Sequence, residues 1–252
     1  MNLPLFDPLS ASMHKGAGVS KVIKGDCNDL LATIKTASVD LIATDPPYEI
    51  GFEKHGWDVY GGLNWAFLAA EFERVLKPTG TLIVFQGWSN VCETKAVLDG
   101  KLTLKNWIIY DRIKGRGSKT NLVSTREDIL WYVKDENDYT YNKISSTIRK
   151  KTGGSIGKKN GNPFRALSNV WTDISPIVPW SKERVCHPTQ KPLDIMLRIV
   201  EIFSNDGDVV LDPFCGSGTT GVAAKKMNRA FIGFEKDAAY CDISRERLSS
   251  HD

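Results

Sequence analysis

The chain has 252 residues, 41% of them hydrophobic, and a formal net charge of +3, which is enough chain to bury one substantial α/β core and too apolar a composition for a disordered polymer. So small a net charge does not point to a polyanionic partner, but its placement does: residues 143–184 hold nine Lys or Arg against Asp173 and Glu183, a net +7, leaving −4 for the remainder. Cys27, Cys92, Cys186, Cys215 and Cys241 form no C-x-x-C pair and are odd in number, which argues against a zinc knuckle and a disulfide scaffold, so no metal is expected and a reducing cytoplasm fits.

Residues 1–19 mix Pro, Ser, Gly and Lys without an apolar signal core, and no later run approaches membrane-spanning length. They read as an N-terminal extension of an unsecreted, cytoplasmic protein. Short β-rich apolar runs follow at 21–23, 39–43, 81–85, 107–110 and 129–133. Between the second and third, Trp65, Leu68, Ala69, Phe72 and Leu76 keep helical spacing, and Lys77-Pro78-Thr79-Gly80 reads as the helix stop. From Asp135 to Arg184 the alternation gives way to polar, Gly-containing sequence with clustered charge, so approximately residues 135–185 are expected to form an inserted lobe or large loop. Helical patterns return at 192–203 and 237–248, with apolar strands at 209–211 and 230–234. Strand–helix alternation of this kind predicts an α/β fold, a mostly parallel sheet with helices on both faces and ligands at the carboxyl ends of its strands.

Two segments just after predicted strands carry chemistry. Val209-Val210-Leu211 runs into Asp212-Pro213-Phe214-Cys215-Gly216-Ser217-Gly218-Thr219, and a helix start follows. Glycines allow a tight turn and close approach of a ligand to backbone N–H groups, and Glu235, ending a second strand, offers a carboxylate for two ribose hydroxyls. This describes a nucleoside-containing cofactor. No Lys follows the glycines, which excludes a P-loop, whereas NAD stays compatible with these residues alone. The other segment is Asp45-Pro46-Pro47-Tyr48, after the strand at 39–43. A Pro-Pro step lacks N–H donors and holds its backbone extended, fixing the direction of its carbonyls and of the flanking side chains. Acceptors on the N–H groups of a nucleobase amine favour the pyramidal nitrogen that attacks a sulfonium methyl, and Asp45 and the Pro46 carbonyl are candidates for them. Tyr48 is a candidate stacking face for a base that has left the duplex.

With these residues in hand, the sequence resembles the permuted β group of the amino-methyltransferase family, in which the catalytic tetrapeptide precedes the cofactor loop; the resemblance spans nearly the whole chain. It implies a Rossmann-like methyltransferase domain over residues 20–252, with S-adenosylmethionine as cofactor and duplex DNA as substrate. Gly25-Asp26-Cys27 is similar to the family's adenine-binding segment. His187-Pro188-Thr189-Gln190-Lys191-Pro192 resembles the segment leading to the methionine side of the cofactor, which places His187, Thr189 and Lys191 there. Phe214 is expected beside the cofactor adenine, Asp212 with the Gly216 and Gly218 backbone near the methionine part, Ser217 and Thr219 in the same loop, and Glu235 at the ribose. Residues 75–78 and 125–130 also fall at familiar places. Asp at the first tetrapeptide position is the family's usual choice for adenine N6; the alternatives are cytosine N4 and, further off, an RNA or protein amino group. Some members carry an extra C-terminal DNA-binding domain, but this sequence ends soon after its last helical pattern, so DNA recognition is expected from the basic segment. No Pro-Cys dipeptide occurs, so Cys215 reads as a small loop residue and not as a cytosine-C5 nucleophile.

Phosphate contacts are assigned to two basic stretches: Arg112, Lys114, Arg116 and Lys119 in one, and Arg149, Lys150, Lys151, Lys158, Lys159 and Arg165 in the other. Polar residues between 160 and 180 are expected to read base edges. Phe52, His55 and Trp57 stand as candidates for either the base pocket or the core.

Overall fold

In a computed structural model, residues 19–51, 58, 60–116, 119–149 and 163–250 are described, the side chains of residues 114–116 and 149 excepted. In chain order the elements are β1 (Ser20–Lys24), α1 (Cys27–Leu31), β2 (Val39–Thr44), α2 (Trp65–Val75), β3 (Leu76–Gln86), α3 (Val91–Leu98), β4 (Thr103–Arg116) and β5 (Ser124–Val133). They continue with β6 (Ser145–Arg149), β7 (Phe164–Ala166), β8 (Val170–Trp171), α4 (Leu193–Phe203), β9 (Val209–Asp212), α5 (Thr219–Lys226), β10 (Ala230–Glu235) and α6 (Ala238–Ser249). All seven apolar runs of the sequence are strands, and the three helical patterns are helices.

Eight strands form one sheet in the order β1-β10-β9-β2-β3-β5-β4-β8. Within it β5 runs against its neighbours β3 and β4, and every other adjacent pair is parallel. Because helices cover both faces, strand residues are buried on alternate sides. Leu41, Ala43, Ile83 and Phe85 pack with Ile195, Ile199 and Phe203 of α4 and Val222 of α5, while Ile42, Leu82 and Val84 pack with Leu31 of α1 and with Leu68 and Phe72 of α2. Burying such a side chain contributes about 1.5–3 kcal/mol, which is why these strands read as unbroken apolar runs.

Residues 77–80 form no stop. The helix α2 ends at Val75 and Leu76 is already extended, with ψ 135°, so Lys77-Pro78-Thr79-Gly80 is the first part of β3. The pairing jumps from Val39–Leu76 to Leu41–Thr81, a bulge that absorbs the extra residues and accommodates a proline without an N–H. The strand β4 extends well past its apolar stretch, since its outer half belongs to a hairpin with β5 whose residues are polar. Between 135 and 185 the chain pairs β6 with β7 as a separate two-stranded sheet and returns to the main sheet edge through β8. Asp173 ties this segment to the core: its carboxylate accepts from Arg198 Nη1 and Nη2 at 2.8 and 2.9 Å and from Thr147 Oγ1 at 2.6 Å. Burial opposes ionisation there, but the Arg198 and Thr147 bonds hold the Asp173 carboxyl well below the usual carboxylate range.

One buried carboxylate joins the central strands where the chain reversal opens a crevice. Along the sheet, β2 continues to β3 on one side and β9 to β10 on the other, so the β2/β9 boundary is a topological switch point. There Asp212 Oδ1 accepts from Thr44 Oγ1 (2.8 Å) and Phe214 N (3.1 Å), and Oδ2 from Thr220 Oγ1 (2.7 Å). Burial pushes the Asp212 carboxyl up to about 7 in spite of these three donors. A folded-state value above the unfolded one means that its stabilising contribution is complete below about pH 4 and is lost as pH rises through about 7. Urea unfolding of the wild type and Asp212→Asn across pH 4–8 should therefore show the wild type losing roughly 2–4 kcal/mol relative to the variant. Parallel pH curves would remove the charge cost from this account.

Candidate active site

A cavity of about 1100 Å³ opens at the carboxyl ends of the parallel strands, at the top of the ~300–1000 Å³ range of small-molecule sites and roomy enough for a nucleoside cofactor beside an extruded base. Both chemical segments of the sequence line it: Asp45 to Tyr48 after β2, and most of the loop after β9. The parallel pairing of β1 and β10 sets Lys24 opposite Glu235, and Gly25 N donates to the Glu235 carbonyl at 2.9 Å. Asp26 and Glu235, from opposite ends of the sequence, therefore leave adjacent strand ends on the same rim.

On this rim Asp26 caps α1, its Oδ1 accepting from Asn28 N (2.9 Å) and Nδ2 (2.8 Å). Glu235 Oε2 accepts from Gly216 N (3.0 Å) and Oε1 from Asp237 N (2.8 Å), so the acid that closes β10 also shapes the glycine turn; burial raises its carboxyl above the ordinary glutamate value. Gly216 has φ +49° and a Cβ there would lie 2.8 Å from His187 Nε2; Gly218 has φ +76° and its Cβ would lie 3.0 Å from Ser244 Cβ. Glycine is required at both by conformation and by space. The His187 ring in turn rests 4.4 Å from Tyr240. Arg247 Nη1 donates to Ser217 O (2.6 Å) and Thr219 Oγ1 (3.0 Å), steadying the turn from α6. Cys27, Phe214, Gly216, Ser217, Thr219 and Thr189 line the cavity, whereas Gly218 faces Ser244 behind it. Burial and the neighbouring Asp26 push the Cys27 thiol up to about 12, and burial likewise raises that of Cys215, so both are neutral packing groups.

The residues of this rim suit S-adenosylmethionine: carboxylates at two strand ends for its amine and hydroxyl donors, an aromatic ring at Phe214, and a glycine turn at Gly216. No group of three or more His, Cys, Asp or Glu among the described residues is placed to hold a metal ion.

Deeper in the cavity the tetrapeptide is held by charge. Lys191 Nζ lies 2.7 Å from Asp45 Oδ2 and 3.4 Å from Glu127 Oε2, and donates to Tyr48 Oη at 3.3 Å. Glu127 Oε1 accepts from Arg112 Nη1 at 3.3 Å, and Arg112 Nη2 donates to Ser124 O at 3.2 Å. Burial alone would lower the Lys191 ammonium, but the carboxylates of Asp45 and Glu127 outweigh it and hold it above the usual lysine range. Burial, with the same two carboxylates, raises the Tyr48 phenol well above its ordinary value, so the ring is neutral. Asp45 Oδ1, Tyr110 Oη and Arg112 Nε are buried without a hydrogen-bond partner among the described residues, Glu127 Oε2 has only its 3.4 Å ion pair with Lys191, and all four residues line the cavity. Buried polar atoms of this kind are costly unless a ligand meets them. The backbone is fixed as well: Asn90 Nδ2 donates to Tyr48 O at 2.7 Å, and a Cβ at Gly87 would lie 3.2 Å from the Tyr48 ring.

Lys191 therefore lies against the tetrapeptide, and Arg112 is paired with Glu127. Glu127 was given no role of its own from the sequence, although it lies in the 125–130 stretch that resembles the family, in the polar first half of β5. Of the remaining basic residues, Lys119 and Arg165 are exposed. Lys114, Arg116 and Arg149 lie in β4 and β6 with their side chains outside the described set, and Lys150, Lys151, Lys158 and Lys159, like Phe52, His55 and Trp57, lie outside the described residues.

Comparison with known proteins separates the cofactor alternatives. The N6/N4 DNA methylase family model matches residues 39–246. The DNA adenine methyltransferase YhdJ of Escherichia coli (strain K12) is 36% identical over 248 residues, covering 92% of this chain and 84% of that protein. The type II methyltransferase M.HpaI of Haemophilus parainfluenzae is 34% identical over 236 residues, covering 89% and 73%. Among solved structures, M1.HpyAVI in complex with SAM aligns with a TM-score of 0.65 at 28% identity, over 91% of this chain and 100% of that one. The matched span takes in the tetrapeptide, the glycine turn and Glu235 together, which a nicotinamide enzyme would not explain: the chain belongs to the N6/N4 DNA methylase family and is an S-adenosylmethionine-dependent DNA amino-methyltransferase.

Proposed function

We propose that this enzyme methylates the N6 amino group of adenine at specific sites in duplex DNA, after the target base has left the stack. The observation that carries the reading is Asp45, which lines the cavity: one carboxylate oxygen is tied to Lys191, while Oδ1 is buried and without a hydrogen-bond partner among the described residues. S-adenosylmethionine supplies an electrophilic methyl group on a sulfonium. The chain's part is to prepare the nitrogen. A base amine has its lone pair delocalised into the ring. Acceptors at Asp45 Oδ1 and the Pro46 carbonyl draw its N–H groups toward a pyramidal arrangement, free the lone pair and receive the charge that develops. Tyr48, neutral and braced against Gly87, offers a stacking face to the extruded base. Adenine is favoured by the Asp of the tetrapeptide and by the likeness to YhdJ, a DNA adenine methyltransferase.

Cofactor contacts are assigned to Asp26 at the adenine, Glu235 at the ribose and the Asp212–Thr219 turn near the methionine part. DNA is assigned to the turn between β4 and β5, where Lys119, Leu122 and Val123 are exposed and whose neighbours Ser124 and Arg126 line the cavity. The basic segment between β6 and β7 neutralises phosphates, on a lobe anchored by Asp173.

The base assignment is tested by mass spectrometry of nucleosides from product DNA: N6-methyladenine is expected, and N4-methylcytosine alone would overturn the base but not the family. The division of labour is tested by a pair of variants. Asp45→Ala should abolish methyl transfer with cofactor affinity kept, whereas Glu235→Ala should weaken cofactor binding by about 1.5–3 kcal/mol in calorimetry; the reverse pattern would exchange the two roles. For the DNA path, neutralising Arg149, Lys150, Lys151, Lys158 and Lys159 together should weaken cognate and scrambled duplexes alike and flatten the salt dependence of binding by roughly 0.9 for each phosphate no longer neutralised. An unchanged slope in fluorescence anisotropy would mean that the segment is only a solvated face.

A further inference from the structure

The Lys191 ammonium is placed where a buried lysine has no ordinary structural reason to be. Its residue is 7% exposed, and a buried cation is tolerated only when paired. Here it has two carboxylates, and these come from different parts of the sheet: Asp45 from the end of β2 and Glu127 from β5. With Arg112 on the far oxygen of Glu127, the charges alternate along a line, Asp45, Lys191, Glu127, Arg112. The lysine is also held from behind. Gln190 Oε1 accepts from Val185 N (2.9 Å), Gln190 Nε2 donates to Glu183 O (2.7 Å), and Leu193 N donates to Glu183 Oε2 (2.9 Å), so the backbone on both sides of Lys191 is pinned before α4 begins.

We infer that Lys191 is a positioning residue for methyl transfer: by holding Asp45 Oδ2 it fixes the carboxylate so that Oδ1 is presented to the target amine. A carboxylate at a strand end turns freely unless one oxygen is anchored, and an acceptor that must find its geometry during the reaction forfeits preorganisation. The same ammonium stands 5.3 Å from the ring centroids of both Tyr48 and Phe85 and donates to Tyr48 Oη, so one cation sets the acceptor and the stacking ring together. Glu127 is its counterweight: without a second carboxylate the lysine would neutralise Asp45 outright, and with one it is shared. This inference rests on the reading of Asp45 as acceptor for the amine, and it differs from a cofactor contact by Lys191, which the sequence resemblance suggested.

The test compares full-length Lys191→Met, Lys191→Arg and Asp45→Ala with the wild type, by single-turnover methylation of substrate DNA, calorimetry with S-adenosylmethionine, and thermal unfolding. Lys191→Met is expected to slow methyl transfer by about 100-fold or more while cofactor affinity stays within about threefold, and Lys191→Arg to recover at least about tenfold of that loss. A wild-type rate in Lys191→Met, or a loss accounted for by weaker cofactor binding, overturns the inference. Should Lys191→Met fail to fold, Lys191→Gln, which also removes the charge, takes its place: a slowed transfer at unchanged cofactor affinity supports the role, and a wild-type rate or a parallel fall in cofactor affinity refutes it. An active Asp45→Ala would instead sink the reading of Asp45 itself, whereas an inactive Asp45→Ala beside a fully active Lys191→Met would sink only the role of Lys191.

Discussion

The carboxylate of Asp212, buried where β2 and β9 end, is the interaction on which the site depends. Its bonds to Thr44, Phe214 and Thr220 join the strand that leads into the tetrapeptide to the turn and helix on the cofactor side. Two segments far apart in sequence thereby share one rigid boundary, so that on the proposed reading the gap between electrophile and nucleophile is set by strand spacing and not by loops. Adjacent strands lie about 4.8 Å apart, the scale on which a methyl donor and an acceptor nitrogen must be placed. The cost of burying that carboxylate is visible in its raised pKa, in keeping with the strain that functional sites carry.

The cavity divides its charges in a way that suits this chemistry. At the cofactor rim, Asp26 and Glu235 meet backbone N–H groups and leave carboxylate edges for a nucleoside. At the catalytic end, acids and bases alternate, so that no carboxylate faces the cavity with its full charge uncompensated and none is fully quenched. Lys191 and Glu127 belong together in this respect: without Lys191 the Asp45 carboxylate would lose its cation, and without Glu127 the lysine would pair with Asp45 alone. The buried atoms left without a hydrogen bond, on Asp45, Tyr110 and Arg112, belong to residues that line the cavity.

The apolar strands, the tetrapeptide and the glycine turn were legible because each is a local pattern: continuous hydrophobic runs for strands buried on two faces, a Pro-Pro step that restricts its own backbone, and glycines at positive φ. The direction of β5 was not legible, since a hairpin and a crossover can join equally apolar strands. Lys77 to Gly80 misled because Pro and Gly end helices and also begin bulged strands; only the partner strand decides. Lys191 was read toward the cofactor from its neighbours in sequence, but its side chain follows the carboxylates of β2 and β5, a long-range electrostatic choice that no local window contains. Glu127 went without a role for the same reason, its significance arising only when Lys191 and Arg112 reach it from other elements. In the basic segment the sequence supplied charge but no geometry, because isolated Lys and Arg in a polar stretch have no periodicity to read.

The central claim is that one cavity brings a cofactor held by Asp26 and Glu235 to within bonding reach of a base amine held by Asp45. A crystal structure of the enzyme with a cofactor analogue and a duplex containing its target site tests this most directly. The account predicts an extruded adenine with its amino group about 3 Å from Asp45 Oδ1 and the Pro46 carbonyl, its ring against Tyr48, and the analogue's ribose on Glu235. A base that stays stacked in the duplex, or one whose amino group meets neither Asp45 nor Pro46, would contradict it.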